Sequence, residues 1–143
     1  MHPTIAITLV VATSVAGGYF TRSGMEWYKS RRPTHAPPPY VFPIVWTILY
    51  ALLAVALSTI PIDRAHTMIV SMFVINLALN VLWCYVYFRR HSPVGGLVCF
   101  APLIATTIAI MVLGRHNIVV VACLSPYLIW LVFATFLNFE SIE

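Results

Sequence analysis

The stretch "PPPYVFPIVWTILY" (residues 37–50) joins a stiff proline run to a helix that belongs in oil. Pro37 to Pro39 favour an extended polyproline conformation and keep the residue before each proline out of the helical region. Pro43 falls in the first turn of the following helix, where a missing N–H costs least. From Val41 the chain carries no charge until Asp63. That is long enough to cross the hydrocarbon core of a bilayer, which takes about 20 apolar residues.

The rest of the chain repeats that pattern. Hydrophobic residues make up 61% and charged residues 8%, against about 25% charged in soluble domains. So few charges could not cover a surface in water. The reading is an all-α integral membrane protein, a bundle of five transmembrane helices forming one domain over residues 1–143. Spans are expected at about 4–20, 41–60, 67–88, 95–113 and 118–137. The first, "MHPTIAITLVVATSVAGGYF", lacks a basic n-region and ends Gly17-Gly18-Tyr19-Phe20. It is therefore expected to remain a membrane helix rather than act as a cleaved signal peptide. Cys84, Cys99 and Cys123 all lie in apolar runs, and an odd count there gives no disulfide framework.

Three connections are short, "PIDRAH", "RRHSPV" and "GRHN", so sequential helices are expected to be neighbours. The first, residues 21–40, is long and carries Trp27, Tyr28 and four prolines; the proline elbow is expected to hold it across the bundle as a lid. Arg22, Lys29, Arg31, Arg32, Arg89 and Arg90 fall on the side of the long loop, and only Arg64 and Arg115 on the other. The charge bias predicts that the long loop and the C-terminus face the cytoplasm. The net charge of +4 is thus a membrane-flanking signal, and no nucleic-acid partner is expected.

Glu26, Asp63, Glu140 and Glu143 all lie outside the spans, as do all Lys and Arg residues. That speaks against an ion pump or proton relay, which needs ionisable groups at depth. The five histidines have no metal-site spacing, and no catalytic triad or phosphate-binding glycine loop is present. Neither conventional catalysis nor a metal or cofactor is expected. Five helices do not divide into two equal inverted halves, so an alternating-access transporter is not expected either.

What remains at depth is rings, amides and small residues. Asn76, Asn80 and Trp83 share one helical face, where amides serve either as glue between helices or as ligand contacts. Phe42, Trp46 and Tyr50 form a stripe at spacing four, and Trp130 and Ala134 are four apart with Phe133 and Leu137 adjoining. Trp46 and Trp130 lie too deep for an interfacial belt, and each indole needs a partner for its N–H. Gly17, Gly18 and Ala134 opposite such rings could leave a flat slot.

The blocks "WYKSRRPTHAPPPYVFPIVWTILY", "NLALNVLWCYVYF" and "SPYLIWLVFATFLN", in this order and over nearly the whole chain, resemble the translocator protein family (tryptophan-rich sensory proteins, TspO/MBR). The resemblance implies a five-helix membrane receptor or carrier with a cavity open toward the first loop. It implies binding of porphyrins and other tetrapyrroles, and of sterols or similar lipophilic ligands. By matching motif it assigns ligand contact to Trp46, Tyr50, Asn80, Trp83, Trp130, Phe133, Ala134 and Leu137, with Trp27 and Pro38 as lid or wall. A homodimer, and residence in a mitochondrial outer, bacterial or other membrane, are further implications. Porphyrin propionates are expected near Arg31, Arg32 or the Arg89–Arg90 pair.

The sequence also departs from that pattern. The fourth span, "GGLVCFAPLIATTIAIMVLG", lacks the acid and the tryptophan that relatives carry near its start, which puts its ligand contacts in doubt. Asn76 replaces a frequent Gln, and Ile75 a small residue that would favour close helix approach in a dimer. Five residues follow Asn138, so the C-terminal cholesterol segment of animal members is not expected. A Val81-x3-Tyr85-x3-Arg89 pattern of the cholesterol-contact type is present. The resemblance also implies an alternative, a light-dependent porphyrin-degrading enzyme using indole radicals, and the polar face of the third span offers another, a scaffold that binds a further helix.

Overall fold

A computed structural model describes residues 1–142. Glu143 lies outside the described residues. Helix α1 spans Pro3–Ser23, the short α2 Met25–Ser30, α3 Val41–Ser58, α4 Thr67–Cys84, α5 Pro93–Leu113 and α6 Ile118–Glu140. A 3-10 turn, Arg64–His66, leads into α4, and a π turn, Tyr85–Arg89, extends it. Five of these helical stretches are long and apolar enough to cross a membrane: α1, α3, α4 with its flanking turns, α5 and α6. The chain is a multi-pass integral membrane protein.

Several boundaries differ from those expected. The first helix continues past residue 20 to Ser23, with Thr21 Oγ1 donating to Gly17 O. Residues Met25–Ser30 then form a helix of their own, so the expected loop 21–40 shrinks to residues 31–40. The fifth span runs on to Glu140, three residues beyond the apolar run. Helix starts carry their own caps. Ser92 Oγ accepts from Gly95 N, Asn117 Oδ1 accepts from Val119 N and Val120 N, and His2 Nδ1 accepts from Thr4 N. At the 3-10 turn, Asp63 Oδ1 accepts from His66 N. The His66 side-chain hydrogen bond holds the Asp63 carboxyl below the usual range.

The expected neighbour order fails at one place. The spanning helices close a ring in the order α1, α3, α6, α5, α4 and back to α1. Helices α3 and α4, joined by a short connection, do not lie side by side, because α1 is inserted between them. They meet only across the interior, where Tyr50 reaches Asn80. The half of the ring away from α2 is filled by Leu53, Leu57, Phe73, Ile110, Val120 and Leu124, all essentially buried. The half beneath α2 is hollow.

Two glycines allow close approaches that shape the hollow half. A Cβ on Gly24 would lie 2.0 Å from the Phe88 carbonyl oxygen, at the junction of α1 and α2. A Cβ on Gly96 would lie 2.6 Å from Asn138 Oδ1 and 3.1 Å from Trp83 Nε1. Gly96 thus lets α5 press against the back of the bond in which Trp83 Nε1 donates to Asn138 Oδ1 at 3.0 Å. Gly18, in contrast, has nothing within 4 Å of an added Cβ. Gly96→Ala should therefore destabilise the detergent-solubilised protein by about 2 kcal/mol, in the range of overpacking. Gly18→Ala should leave it unchanged or slightly more stable. Paired thermal melts check both.

Candidate functional site

A cavity of about 400 Å³ occupies the hollow half. Its walls come from α1 (Ser14, Gly17, Gly18, Thr21, Arg22), α3 (Phe42, Pro43, Trp46, Thr47, Tyr50) and α6 (Trp130, Ala134, Leu137, Asn138). Trp83, Cys84, Tyr87 and Phe88 line it from the end of α4, and Met25, Tyr28 and Pro33 from above. No residue of α5 lines it.

Local geometry explains how each wall forms. On α1, Ser14, Gly17, Gly18 and Thr21 fall at helical spacing, so one face lacks bulk until Arg22 at its end. On α3, Trp46 and Tyr50 project one turn apart, with ring centroids 5.6 Å apart. Trp46 meets Trp130 edge-on at 6.4 Å and 90°, and Phe42 meets Trp130 at 5.9 Å. The π turn at the end of α4 donates from Arg90 N to Tyr85 O at 3.0 Å. Its wider turn brings Trp83, Tyr87 and Phe88 onto the inner side together. Trp83 and Tyr87 stack at 5.3 Å and 17°.

The structure brings together six of the residues the resemblance assigned: Trp46, Tyr50, Trp83, Trp130, Ala134 and Leu137. Four lie elsewhere. Asn80 is fully buried behind Tyr50, and its amide is committed to Tyr50 and Tyr127. Phe133 packs against the Trp130 ring at 5.5 Å, beside the cavity rather than on its wall. Trp27 stacks on His91 at 4.8 Å and meets Tyr87 edge-on, which turns it away. Pro38 is exposed, and its carbonyl accepts from Val41 N at the start of α3. On the same segment, Tyr28 and Pro33 line the cavity instead.

The polar groups at the cavity are few. Among the described residues, Arg22 is the one charged residue on its wall. Of the arginines expected to meet propionates, Arg31 donates to Ser141 O and Ile142 O and Arg32 to Ala36 O, while Arg89 and Arg90 are not on the cavity wall. Trp130 Nε1 and Tyr28 Oη are buried with no hydrogen-bond partner among the described residues. Burial pushes the Tyr28 phenol up to about 12, so it keeps its proton and stays a donor. An unpaired buried donor is unfavourable by about 1–3 kcal/mol, and a ligand acceptor would relieve it.

Segment 31–40 closes over one side of the mouth and is fastened to the end of α6. His35 Nδ1 lies 2.6 Å from Glu140 Oε2, and His35 N donates to Glu140 Oε1 at 3.2 Å. Arg31 bonds the carbonyls just beyond α6 and sits 6.0 Å from the Trp27 ring. Glu140→Ala should loosen this segment. Hydrogen exchange of residues 31–40 should quicken by about twofold to fivefold, the range for a partly exposed pair. Amides of α5 should not change.

The chain matches the TspO/MBR family over residues 5–142. It is 32% identical to the tryptophan-rich protein TspO of Chlorobaculum tepidum, with 97% of this chain and 92% of that protein covered. It is 32% identical to the protein of the same name from Archaeoglobus fulgidus, covering 94% and 90%. Against Protein CrtK of Rhodobacter capsulatus the identity is 29%, covering 98% and 92%.

Proposed function

The chain belongs to the TspO/MBR family, and on that premise we propose that its cavity is a receptor or carrier site for flat lipophilic ligands. Tetrapyrroles lead this reading, with sterol-like molecules second. Family membership supports a sensory or transport role in the membrane; the ligand class rests on the site. The observation that carries it is a hollow among lipid-embedded helices, walled by three indoles and floored by glycine. A well-packed bundle would close such a space, because interiors normally pack without voids.

The chemistry suits a conjugated plate. Offset and edge-on ring contacts contribute about 0.5–1.5 kcal/mol per pair beyond burial, and Trp46, Trp83 and Trp130 offer faces and edges from three helices. The glycine face of α1 admits a flat edge. Arg22 at the mouth can pair with an acidic substituent held at the membrane interface. Trp130 N–H and Tyr28 O–H can donate to acceptors on the ligand. None of these groups is a general acid, base or nucleophile set for turnover, so binding without chemistry is the simpler function.

Protoporphyrin titrated into the purified protein should quench tryptophan fluorescence saturably, with one site per chain. The Trp46→Ala, Trp130→Ala double variant should lose most of that quenching, and Gly18→Leu, whose Cβ meets nothing within 4 Å and whose side chain is expected to occupy the slot, should weaken binding at least about tenfold. Unaltered binding in both variants would reject the site. Porphyrin recovered intact after illumination supports a carrier or receptor, and new absorbance bands that vanish in the tryptophan variant support degradation instead.

A further inference from the structure

A chain of buried hydrogen bonds runs from α5 to the deep end of the cavity, and its direction is fixed at one end. The Leu103 carbonyl oxygen can only accept. Asn76 Nδ2 lies 3.2 Å from it, and Thr107 Oγ1 donates to it at 2.8 Å. Thr106 Oγ1 donates to the Pro102 and Leu103 carbonyls. Both threonine protons are thereby committed, so their oxygens accept from Asn76 Nδ2, at 2.8 and 3.0 Å. The orientation of the Asn76 amide follows: Nδ2 faces α5 and Oδ1 faces α6.

Each later link follows from the one before it, the longest being Asn80 to Tyr127 at 3.4 Å. Asn76 Oδ1 lies 2.8 Å from Tyr127 Oη, so the Tyr127 hydroxyl must donate to it. A phenol has one proton. Toward Asn80, 3.4 Å away, Tyr127 therefore accepts, and Asn80 presents Nδ2 to it. Asn80 Oδ1 is then turned to α3, where Tyr50 Oη donates to it at 2.7 Å. The only proton on Tyr50 is now committed inward, while Tyr50 itself lines the cavity.

We infer that Tyr50 faces the cavity solely as a hydrogen-bond acceptor, and that the site selects ligands carrying an N–H or O–H donor on their deepest edge. Tyr50 makes the contact; Asn80, Tyr127 and Asn76 are positioning residues that set its polarity from a distance. The inference rests on the ligand-site reading above and adds a polarity to it. Trp130 and Tyr28 offer donors along the same cavity, so the preferred ligand is two-sided, with a donor at the Tyr50 end and an acceptor toward Trp130 or Tyr28.

Carbazole and fluorene test this directly. They are flat tricycles of nearly the same shape, and only carbazole has an N–H. The ratio of their dissociation constants, measured by tryptophan quenching in the same detergent, should favour carbazole by about threefold to tenfold in the natural protein. In Tyr50→Phe the ratio should fall toward the value set by partition alone, which is common to both proteins. Asn76→Leu removes the acceptor for Tyr127. The Tyr127 proton can then turn to Asn80, the Asn80 amide can reverse, and Tyr50 regains a proton for the cavity, so the carbazole preference should disappear although Tyr50 is still present. A general weakening of the fold would lower both affinities and leave the ratio alone. A ratio unaffected by Tyr50→Phe overturns the inference while leaving the ligand site standing. Saturable binding of neither tricycle overturns the ligand-site reading, and the inference falls with it.

Discussion

In hydrocarbon a buried polar group without a partner is costly, and in this bundle one face of α4 supplies partners to most of its neighbours. Asn76 bonds α5 and, through Tyr127, α6. Asn80 bonds α3 through Tyr50. Trp83 bonds α6 at Asn138, which in turn donates to the Pro93 carbonyl at the start of α5. Tyr87 donates to Ser141 just past α6. Each interhelical bond is modest, about 0.6 kcal/mol on average in membranes. Together they fix helix spacing where apolar packing against lipid-like side chains has little preference.

The hollow half of the ring depends on that spacing. Small residues of α1 face large rings on α3, α4 and α6, and no described side chain fills the space between them. Were the helices free to slide, the rings would settle into the gap. The bonds on α4 hold the walls, while α5 acts only from behind, through Gly96 and the two threonines. A helix can therefore shape a cavity it never touches, which fits the absence of α5 residues from the walls.

Much of this was legible in the sequence, and the exceptions have physical causes. The spans show because a charge-poor run of about 20 residues has few alternatives. Trp46 and Tyr50, like Trp130, Ala134 and Leu137, converge because a regular helix preserves spacing. Tyr28 rather than Trp27 faces inward because the chain bends at Gly24 and α2 begins with a new phase. The six residues of α2 are too few and too mixed to announce a helix. The resemblance assigns Asn80 to ligand contact, and spacing alone leaves its amide open between helix glue and ligand, because spacing shows which face an amide occupies and not whether a tyrosine stands in front of it. The π turn after Cys84 leaves no sequence mark, yet it adds Tyr87 and Phe88 to the wall. Arg22 could have been noticed, since it continues the Gly18 face by one turn.

The most direct measurement is mass spectrometry of small molecules extracted from the protein purified out of the cells that make it, compared with Gly18→Leu prepared in parallel. A cavity kept open for a ligand predicts a flat, conjugated, lipophilic compound near one per chain in the natural protein and strongly reduced in the variant. Bilayer phospholipid alone, in equal amounts from both, would contradict it.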